Sequence, residues 1–392
     1  MIKNKIRVLH APATVGGNAH NLSVALNSLG LESKSLTLIQ NYFQYPVDIV
    51  VWENSDGFIA REIKRIKVIY YELRNFDLIH FNFGTTMATP NAYPIFNEIS
   101  LGLKMFLIKS LGAFYTNILQ LVELYFLKLM NKPVFVTYQG DDARQGDYCL
   151  EHFEISIATQ VDSNYYNIRS DNFKRRSINR LAKYADQIYS LNPDLLHVLP
   201  SSAKFIPYSH IFLDDWLPIY TQLENRPLKI LHAPSHRKVK GTDILLDALD
   251  KLKLQGFDFE LLLVEGLSNS EARKMYEKAD VLVDQLFAGW YGGLAVELMA
   301  LGKPTIVYIR DEDLKFIPVE MKAELPFIRA TPFNIKEVLK HVIEMPRQEL
   351  FTLAQRSRAF VERWHDPVKI ATEIKNDYEA ALASHMHKNE VM

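Results

Sequence analysis

The chain has 392 residues, 48% of them hydrophobic and 23% charged, with a formal net charge of -1. This length predicts two or three domains, and the apolar fraction excludes a disordered chain. The near-zero net charge argues against a general nucleic-acid binder. The single cysteine, Cys149, excludes an internal disulfide and a cysteine-based metal site.

The first apolar run is too short for a signal peptide, and no stretch reaches the roughly 18 uncharged apolar residues of a membrane span. The closest candidate, residues 101–130, is interrupted by three lysines and one glutamate. We therefore expect a cytoplasmic protein.

Short apolar runs alternate with helical patterns along the chain, which indicates an α/β fold with a largely parallel sheet. The strands predicted in the first half are Ile6–Leu9, Ser35–Leu38, Ile49–Val51, Leu78–Phe81, Val134–Tyr138, Gln187–Ser190 and Lys204–Pro207. Those predicted in the second half are Lys229–His232, Glu260–Val264, Val281–Asp284, Pro304–Tyr308 and Phe327–Arg329. Between the halves, residues 208–227 contain two prolines and lack periodicity, so they form the predicted linker.

The two halves begin with similar sequences. Ile6–Pro12 reads Ile-Arg-Val-Leu-His-Ala-Pro, and Leu228–Pro234 reads Leu-Lys-Ile-Leu-His-Ala-Pro. Each run is followed by a loop and a helical pattern, as at the start of a doubly wound nucleotide-binding domain. We therefore expect similar domains over residues 1–207 and 228–365, and a closing helix over residues 366–392 that crosses back to the first domain.

Two glycine pairs precede predicted helices. Gly16-Gly17 follows the first strand, and Gly292-Gly293 opens a helix that carries Glu297 in its expected first turn. Glycines let the backbone approach a ligand closely, and a helix start offers free amides to an anion. Glu297 could accept the hydroxyls of a ribose diol. The alternatives are a tight turn for the first pair and a capping acid for Glu297.

Basic residues follow the first strand of the second half, in the run His232–Gly241. Arg237 and Lys240 stand just beyond the carboxyl end of that strand, where open α/β sheets bind ligands. A guanidinium and an ammonium both suit diphosphate oxygens. The alternative is a solvated basic loop.

Six motifs, some of them described above, are informative when they are taken together in chain order. They are the Gly16-Gly17 loop, the strand Asp77–Phe81, the turn Gln139–Asp142, the Lys240-Gly241 pair, the block Gly292–Pro304 and the closing His365–Pro367. In this order they resemble the family 4 glycosyltransferases, a retaining branch of the GT-B type, over nearly the whole chain. The resemblance implies two Rossmann-like doubly wound domains that face across a cleft, with the acceptor on the first domain and the donor on the second.

The resemblance also implies an activity. A hexosyltransferase of this kind moves a sugar from a nucleotide-sugar donor to a glycan or lipid-linked acceptor with retention of configuration. We expect this activity in bacterial surface polysaccharide or glycoconjugate biosynthesis.

The resemblance assigns site residues by position. Arg237 and Lys240 would be catalytic and would neutralise the donor diphosphate. The other donor-binding residues would be Gly16, Gly17, Gly293, Leu294 and Glu297, and the acceptor or sugar-pocket residues would be Asn18, Gln139 and Asp142. No cofactor and no metal is implied, because the cations and the helix dipole stabilise the diphosphate. The adjacent acids at positions 141 and 142 are therefore not interpreted as metal ligands.

Two positions depart from the family pattern. Gly289 stands where the family usually has a glutamate that contacts the donor sugar, and Gln139 stands where it usually has a histidine. Glutamine exchanges hydrogen bonds but cannot act as an acid or a base. We interpret both departures as a changed sugar pocket.

Two other functions suit the same fold. A nucleotide-sugar epimerase would need acid–base residues, and His10, His80, Asp141 and Asp142 are available. A non-catalytic partner subunit would keep the fold and bind a transferase, and the loss of the usual glutamate at Gly289 supports it.

Residues 101–130 contain one broad apolar helical face. Its members recur at steps of three and four residues: Leu111, Phe114, Tyr115, Ile118, Val122, Tyr125, Phe126 and Leu129. One interpretation is a buried core helix. The other is a helix that lies on the anionic inner face of a membrane, and the basic clusters at 61–67 and 169–183 favour it.

Overall fold

The computed structural model of the chain describes residues 5–12, 16–40, 45–88, 103–220 and 226–391. The chain divides into two compact units. Unit 1 comprises Met1–Asp147, Ser163–His210 and Pro367–Met392, and unit 2 comprises Tyr148–Asp162 and Ile211–Asp366. One short segment of the first half of the chain therefore belongs with unit 2.

Among the described residues of unit 1, seven strands form one sheet in the order β3-β2-β1-β4-β5-β6-β7. The strands are β1 Arg7–Ala11, β2 Glu32–Thr37, β3 Ile49–Val50, β4 Leu78–Asn82, β5 Val134–Tyr138, β6 Gln187–Ser190 and β7 Lys204–Phe205. All the recorded pairs run parallel. The direction of strand addition switches between β1 and β4, and open α/β sheets bind ligands beside such a point.

Five strands form the sheet of unit 2 in the part of the chain that the structure describes, in the order β12-β11-β10-β8-β9. They are β8 Leu228–His232, β9 Phe259–Leu263, β10 Val281–Val283, β11 Thr305–Val307 and β12 Ile328–Arg329. All the recorded pairs are again parallel. Here the switch point lies between β8 and β10.

Helices connect most of the strands. Those before the linker are α1 Asn18–Ser28, α2 Phe58–Asn75, α3 Leu103–Leu129, α4 Gly146–His152 and α5 Ile168–Ala182. Those that follow are α6 Arg237–Lys240, α7 Thr242–Leu254, α8 Asn269–Lys278, α9 Gly293–Ala300, α10 Val319–Glu324, α11 Ile335–Glu344, α12 Arg347–Trp364 and α13 Pro367–Val391.

The burial of the central strands on both faces explains why their sequences are continuous apolar runs. All five residues of β4 and all five of β5 are buried, because a parallel strand inside an α/β layer is covered on both faces. All twelve predicted strands are present, with small shifts at their ends. The prediction of an α/β fold with parallel sheets is therefore confirmed.

The last helix, α13, packs against α1 in unit 1. Its Tyr378 hydroxyl lies 2.5 Å from Nδ1 of His80 in β4, and its Asp377 accepts a hydrogen bond from the Tyr189 hydroxyl of β6 at 2.7 Å. The helix is thus anchored by polar contacts to two strands of the same sheet.

A buried pair of carboxyl groups, Glu72 of α2 and Glu123 of α3, lies inside unit 1. Glu123 accepts the amide hydrogens of Met87 at 3.1 Å and Ala88 at 3.0 Å. Burial raises the pKa of Glu123 to about 7. Burial and the neighbouring charge of Glu123 raise the pKa of Glu72 well above its usual range. The folded state therefore retains protons here that an unfolded chain would release.

This pair predicts a pH dependence of folding. A carboxyl group whose pKa is raised by folding stabilises the protein at low pH, and this contribution is lost as pH rises through the folded pKa. Between pH 4.5 and about 7, the titration of Glu123 therefore lowers the free energy of unfolding. The loss is roughly 3 kcal/mol, at about 1.4 kcal/mol for each pKa unit.

Glu123→Gln keeps an acceptor for one of the two amides and removes the titration. We therefore expect lower stability with a flatter pH profile, measured by urea unfolding across this pH range. Glu53→Gln alters an exposed carboxyl group of unit 1 and serves as the control. An unchanged pH slope in Glu123→Gln would contradict the prediction.

Candidate active site

A polar cluster in unit 2 lies at the carboxyl ends of β8 and β10, the two strands at the switch point. Lys240 ends α6, just after β8, and Asp284 directly follows β10. The Lys240 Nζ atom lies 2.9 Å from Asp284 Oδ1 and 2.8 Å from Gln285 Oε1. The other carboxylate oxygen of Asp284 accepts the Gly292 amide hydrogen at 2.7 Å. The buried Asp284 thus ties the cation to the start of α9.

The beginning of α9 lies close to this ammonium. A Cβ atom added at Gly292 would lie 3.4 Å from Lys240 Nζ, so glycine lets the backbone and the cation approach each other. The first amides of a helix, here those of Gly293 and Leu294, have no acceptor inside the helix and carry the positive end of its dipole. The ammonium and these amides together favour an anion.

Arg237 is the first residue of α6 and stands at the same edge of the sheet. Its guanidinium pairs with Glu265, which follows β9, through contacts of 2.9 Å at Nε and 2.6 Å at Nη2. These hydrogen bonds raise the pKa of Arg237 and lower that of Glu265. The side chain remains 47% exposed, so a phosphate can reach it by exchanging with Glu265.

Glu297 lies deeper in α9 than the sequence pattern indicates. Because α9 begins at Gly293, Glu297 is its fifth residue and belongs to the second turn. The prediction of a first-turn acid is therefore wrong, and the residue is buried. At that position Glu297 is outside the first turn, where an acid interacts most strongly with the positive end of the helix dipole.

In unit 1, Gly16 and Gly17 lie between β1 and α1, beside the switch point of that sheet. Their φ angles are +65° and +66°, in the left-handed region that favours glycine. A Cβ added at Gly16 would meet no heavy atom within 4 Å. Asn18 begins α1 and is buried, with its Oδ1 accepting the Ser209 amide hydrogen at 2.7 Å. Asn18 therefore holds the segment around Ser209 against the start of α1.

The turn after β5 is held by its own acids. Asp142 is buried and accepts the amide hydrogens of Gln139 at 3.0 Å and Gly140 at 2.7 Å. Burial raises the pKa of Asp142 to about 6, against the effect of these amides. The carboxylate of Asp142 thus closes the turn that presents the half-buried Gln139.

The neighbouring Asp141 has a different environment. Burial opposes its charge, but Arg144 and Lys174 hold its pKa below the usual range. Its oxygens accept hydrogen bonds from Tyr165 at 2.5 Å, from Arg144 at 2.9 Å and from Tyr166. Among the described residues, no three His, Cys, Asp or Glu side chains form a group that could hold a metal ion.

The histidines available to an epimerase are inside the sheet of unit 1. His10 of β1 and His80 of β4 are neighbours in register, with ring centroids 4.9 Å apart, and both are fully buried. Burial lowers the pKa of His10 to about 3 and that of His80 well below its usual range. His80 contacts Tyr378 of α13, and His10 packs against His80, so both rings lie in the interior of this unit.

Gly289 and Arg310 form a contact that the sequence did not indicate. Gly289 has a φ of +78°, and an added Cβ would lie 2.6 Å from Nη1 of Arg310. The Arg310 guanidinium is buried, pairs with Asp313 at 2.9 Å and donates to the Ile155 carbonyl at 2.8 Å. It also lies 3.7 Å from the ring centroid of Phe153. A guanidinium thus occupies the space beside position 289 and holds the segment Tyr148–Asp162 within unit 2.

Two important site residues, Asp284 and Arg310, were missed from the sequence. Asp284 is the last residue of one predicted strand and Arg310 follows another, so a charged residue at a carboxyl strand end is the available signal. Lys240 lies 44 positions from Asp284, and Ile155 lies 155 positions from Arg310, so a local pattern does not reveal these two partners. The sequence-predicted residues Lys240, Gly293 and Leu294 are gathered at one edge of unit 2.

The Gly289 contact predicts a large cost for any side chain. Gly289→Ala adds both left-handed strain and a clash with a buried guanidinium, so we expect a loss of about 3 kcal/mol or more in the free energy of unfolding. Gly256 is the matched control, because it has a φ of +89° and open space around an added Cβ. Gly256→Ala should cost only about 1–2 kcal/mol, from backbone strain. Chemical unfolding of both variants measures the difference, and equal losses would refute the Arg310 clash.

A scan against models of known protein families and a search of curated proteins found no match. Solved structures do match over the full chain. Sucrose-phosphate synthase from Thermosynechococcus elongatus matches with a TM-score of 0.59 and 15% identity, covering 97% of this chain and 100% of its own. HepE from Anabaena, in complex with UDP-glucose, matches with a TM-score of 0.56 and 13% identity, covering 95% and 99%. A glycosyltransferase from Rickettsia africae matches with a TM-score of 0.55 and 14% identity, covering 97% and 99%. The chain therefore has the GT-B glycosyltransferase fold.

Proposed function

We propose that the chain is a glycosyltransferase that moves a sugar from a nucleotide-sugar donor to an acceptor, with the donor bound by unit 2. The observation that carries this proposal is the Lys240 ammonium held beside the first amides of α9, at the switch point of a parallel sheet. Such a site suits the diphosphate of a nucleotide sugar. The similarity to HepE, which was solved with UDP-glucose, supports this class of donor.

Electrostatic stabilisation of the leaving group is the proposed source of catalysis. When the bond between the anomeric carbon and the diphosphate oxygen breaks, negative charge develops on the diphosphate. Lys240 is already oriented by Asp284, so its stabilisation of this charge needs little reorganisation. Arg237 supplies a second cation after exchanging with Glu265. These groups provide the charge stabilisation within this proposal, which includes no metal or cofactor.

We propose same-face displacement with retention of configuration. The acceptor oxygen forms a bond to the anomeric carbon as the diphosphate leaves, and the acceptor proton passes to a diphosphate oxygen. Glu297 is the proposed partner of the ribose hydroxyls. A glycan or a lipid-linked glycan of a bacterial surface polysaccharide pathway is the proposed acceptor. The residues predicted for it, Asn18, Gln139 and Asp142, all belong to unit 1.

A screen of nucleotides and nucleotide sugars by thermal shift tests donor binding. Arg237→Ala removes an exposed guanidinium, so we expect about tenfold or more weaker binding of the donor that stabilises the wild type. Lys238→Ala removes the adjacent exposed cation of α6 and should bind as the wild type does. Equal affinities in both variants would contradict the assignment of Arg237.

A test of Lys240 needs a second substitution that removes the charge of Asp284. Lys240→Ala alone leaves the buried Asp284 without its cation, which costs about 3–5 kcal/mol of stability. In Lys240→Met with Asp284→Asn, the buried charge is removed with its partner, so the protein should fold and yet lose transfer. Product formation from a labelled donor and extracted glycan acceptors measures this loss. Near-normal turnover in the folded double variant would refute the proposed mechanism, and a changed donor sugar without an acceptor would instead indicate epimerisation.

A further inference from the structure

The helices α2 and α3 of unit 1 turn large apolar side chains outward. On α2, the residues exposed at helical spacing are Phe58, Ile59, Ile63, Ile66 and Tyr70. On α3, they are Leu111, Phe114, Tyr115, Ile118, Leu121, Val122, Tyr125, Phe126 and Leu129. The exposed fraction is 73% for Ile59 and 65% for Phe114. We call these two rows together the α2–α3 surface.

The opposite face of α3 is the one that packs into the core of unit 1. Leu124 and Leu127 of α3 enter the core of unit 1, and Gln120 and Glu123 are buried beside them. The helix therefore already packs with its other side. All eight residues of the predicted apolar face are exposed, so the interpretation as a buried core helix is wrong for them. Residues 101–102 and the side chains of 103–110 lie outside the described residues.

The two rows belong to one surface. The Tyr115 hydroxyl of α3 donates to Glu62 of α2 at 3.0 Å. Beneath them, Arg65 of α2 donates to the carbonyl of Ala88 at 3.2 Å, while the amide of Ala88 binds Glu123 of α3. The helices are thus joined both at the surface and below it, and they present their apolar rows together.

The charge of this surface is positive. The carboxylates of α2 and α3 are Glu62, Glu72 and Glu123; the last two are fully buried, and Glu62 is 17% exposed and paired with Arg65. In contrast, Lys67 and Arg74 of α2 and Lys128 of α3 are exposed. In the basic clusters predicted at 61–67 and 169–183, Arg65 and Lys174 are buried, so they do not add to the exposed positive charge.

We infer that the α2–α3 surface docks flat on an anionic lipid bilayer. Apolar rows with aromatic rings and bordering cations match the interfacial region of such a bilayer. Within α2 and α3 themselves, the one carboxylate that is not fully buried, Glu62, is paired with Arg65. The exposed row of α3 runs from Leu111 to Leu129, so it is about 27 Å long at 1.5 Å per residue. No helix described in the structure is long and apolar enough to cross a membrane. This inference is independent of the proposed transfer reaction.

Sedimentation of the full chain with vesicles tests the inference without any sugar substrate. The probes are vesicles of phosphatidylcholine alone and of equal parts phosphatidylcholine and phosphatidylglycerol, at low and high salt. We expect binding to the anionic vesicles that weakens with salt. Ile63→Ser with Phe114→Ser should reduce the partition coefficient by about tenfold or more, since each helix loses an apolar group.

Matched controls distinguish vesicle binding through the α2–α3 surface from nonspecific binding through other exposed apolar or charged residues. Leu254→Ser with Phe333→Ser alters apolar residues of unit 2 that are 89% and 76% exposed, and it should bind as the wild type does. Lys67→Glu with Arg74→Glu should weaken anionic binding by about tenfold or more. The control for this pair is Lys278→Glu with Lys322→Glu, exposed lysines of unit 2. Because all these positions are exposed, circular dichroism and the melting temperature should remain unchanged.

Three results would overturn the inference. The first is a wild type that stays in the supernatant with anionic vesicles at low salt. The second is equal binding by the Ile63→Ser, Phe114→Ser variant and its control. The third, by analytical ultracentrifugation, is a wild-type dimer that this variant converts to a monomer without any vesicle binding, which would make the surface an interface between two copies of the chain.

Discussion

Parallel pairing of the strands is the constraint on which the candidate site depends. In a parallel sheet all strands end at one edge, so the loops that follow them meet there whatever their distance along the chain. In unit 2 this brings Lys240 within 2.9 Å of Asp284, 44 positions later. Because Asp284 is buried, it needs this cation, and its second oxygen fixes the start of α9 through Gly292. One carboxylate therefore places both the ammonium and the helix amides.

The same edge of the sheet in unit 1 is used differently. There, Asp142 accepts hydrogen bonds from backbone amides of the turn, and Asp141 accepts them from tyrosine hydroxyls and from Arg144. Both acids therefore have a structural role. In unit 2, Asp284 is buried, but the Lys240 side chain is 12% exposed and that of Arg237 is 47% exposed. This difference supports the proposal that the donor binds to unit 2. In unit 1, Gly16 has open space beside it.

A buried guanidinium determines the surroundings of Gly289. Arg310 fills the space beside this glycine while it binds Asp313 and the Ile155 carbonyl. In α2 and α3, two of the three acids, Glu72 and Glu123, point inward and form a buried pair. Their outward rows are left apolar and bordered by cations.

The sequence by itself determined the twelve strands, the α/β fold and the positions of the cations and glycine pairs, because strand periodicity and strand-end loops are local properties. The tertiary structure decided which face of α3 is exposed, since periodicity identifies an apolar face but not what covers it. It also decided the partners of Lys240 and Arg310, and the second-turn position of Glu297, because these depend on strand order and on where α9 begins. Contacts between residues distant in the chain follow from topology, which no local pattern encodes.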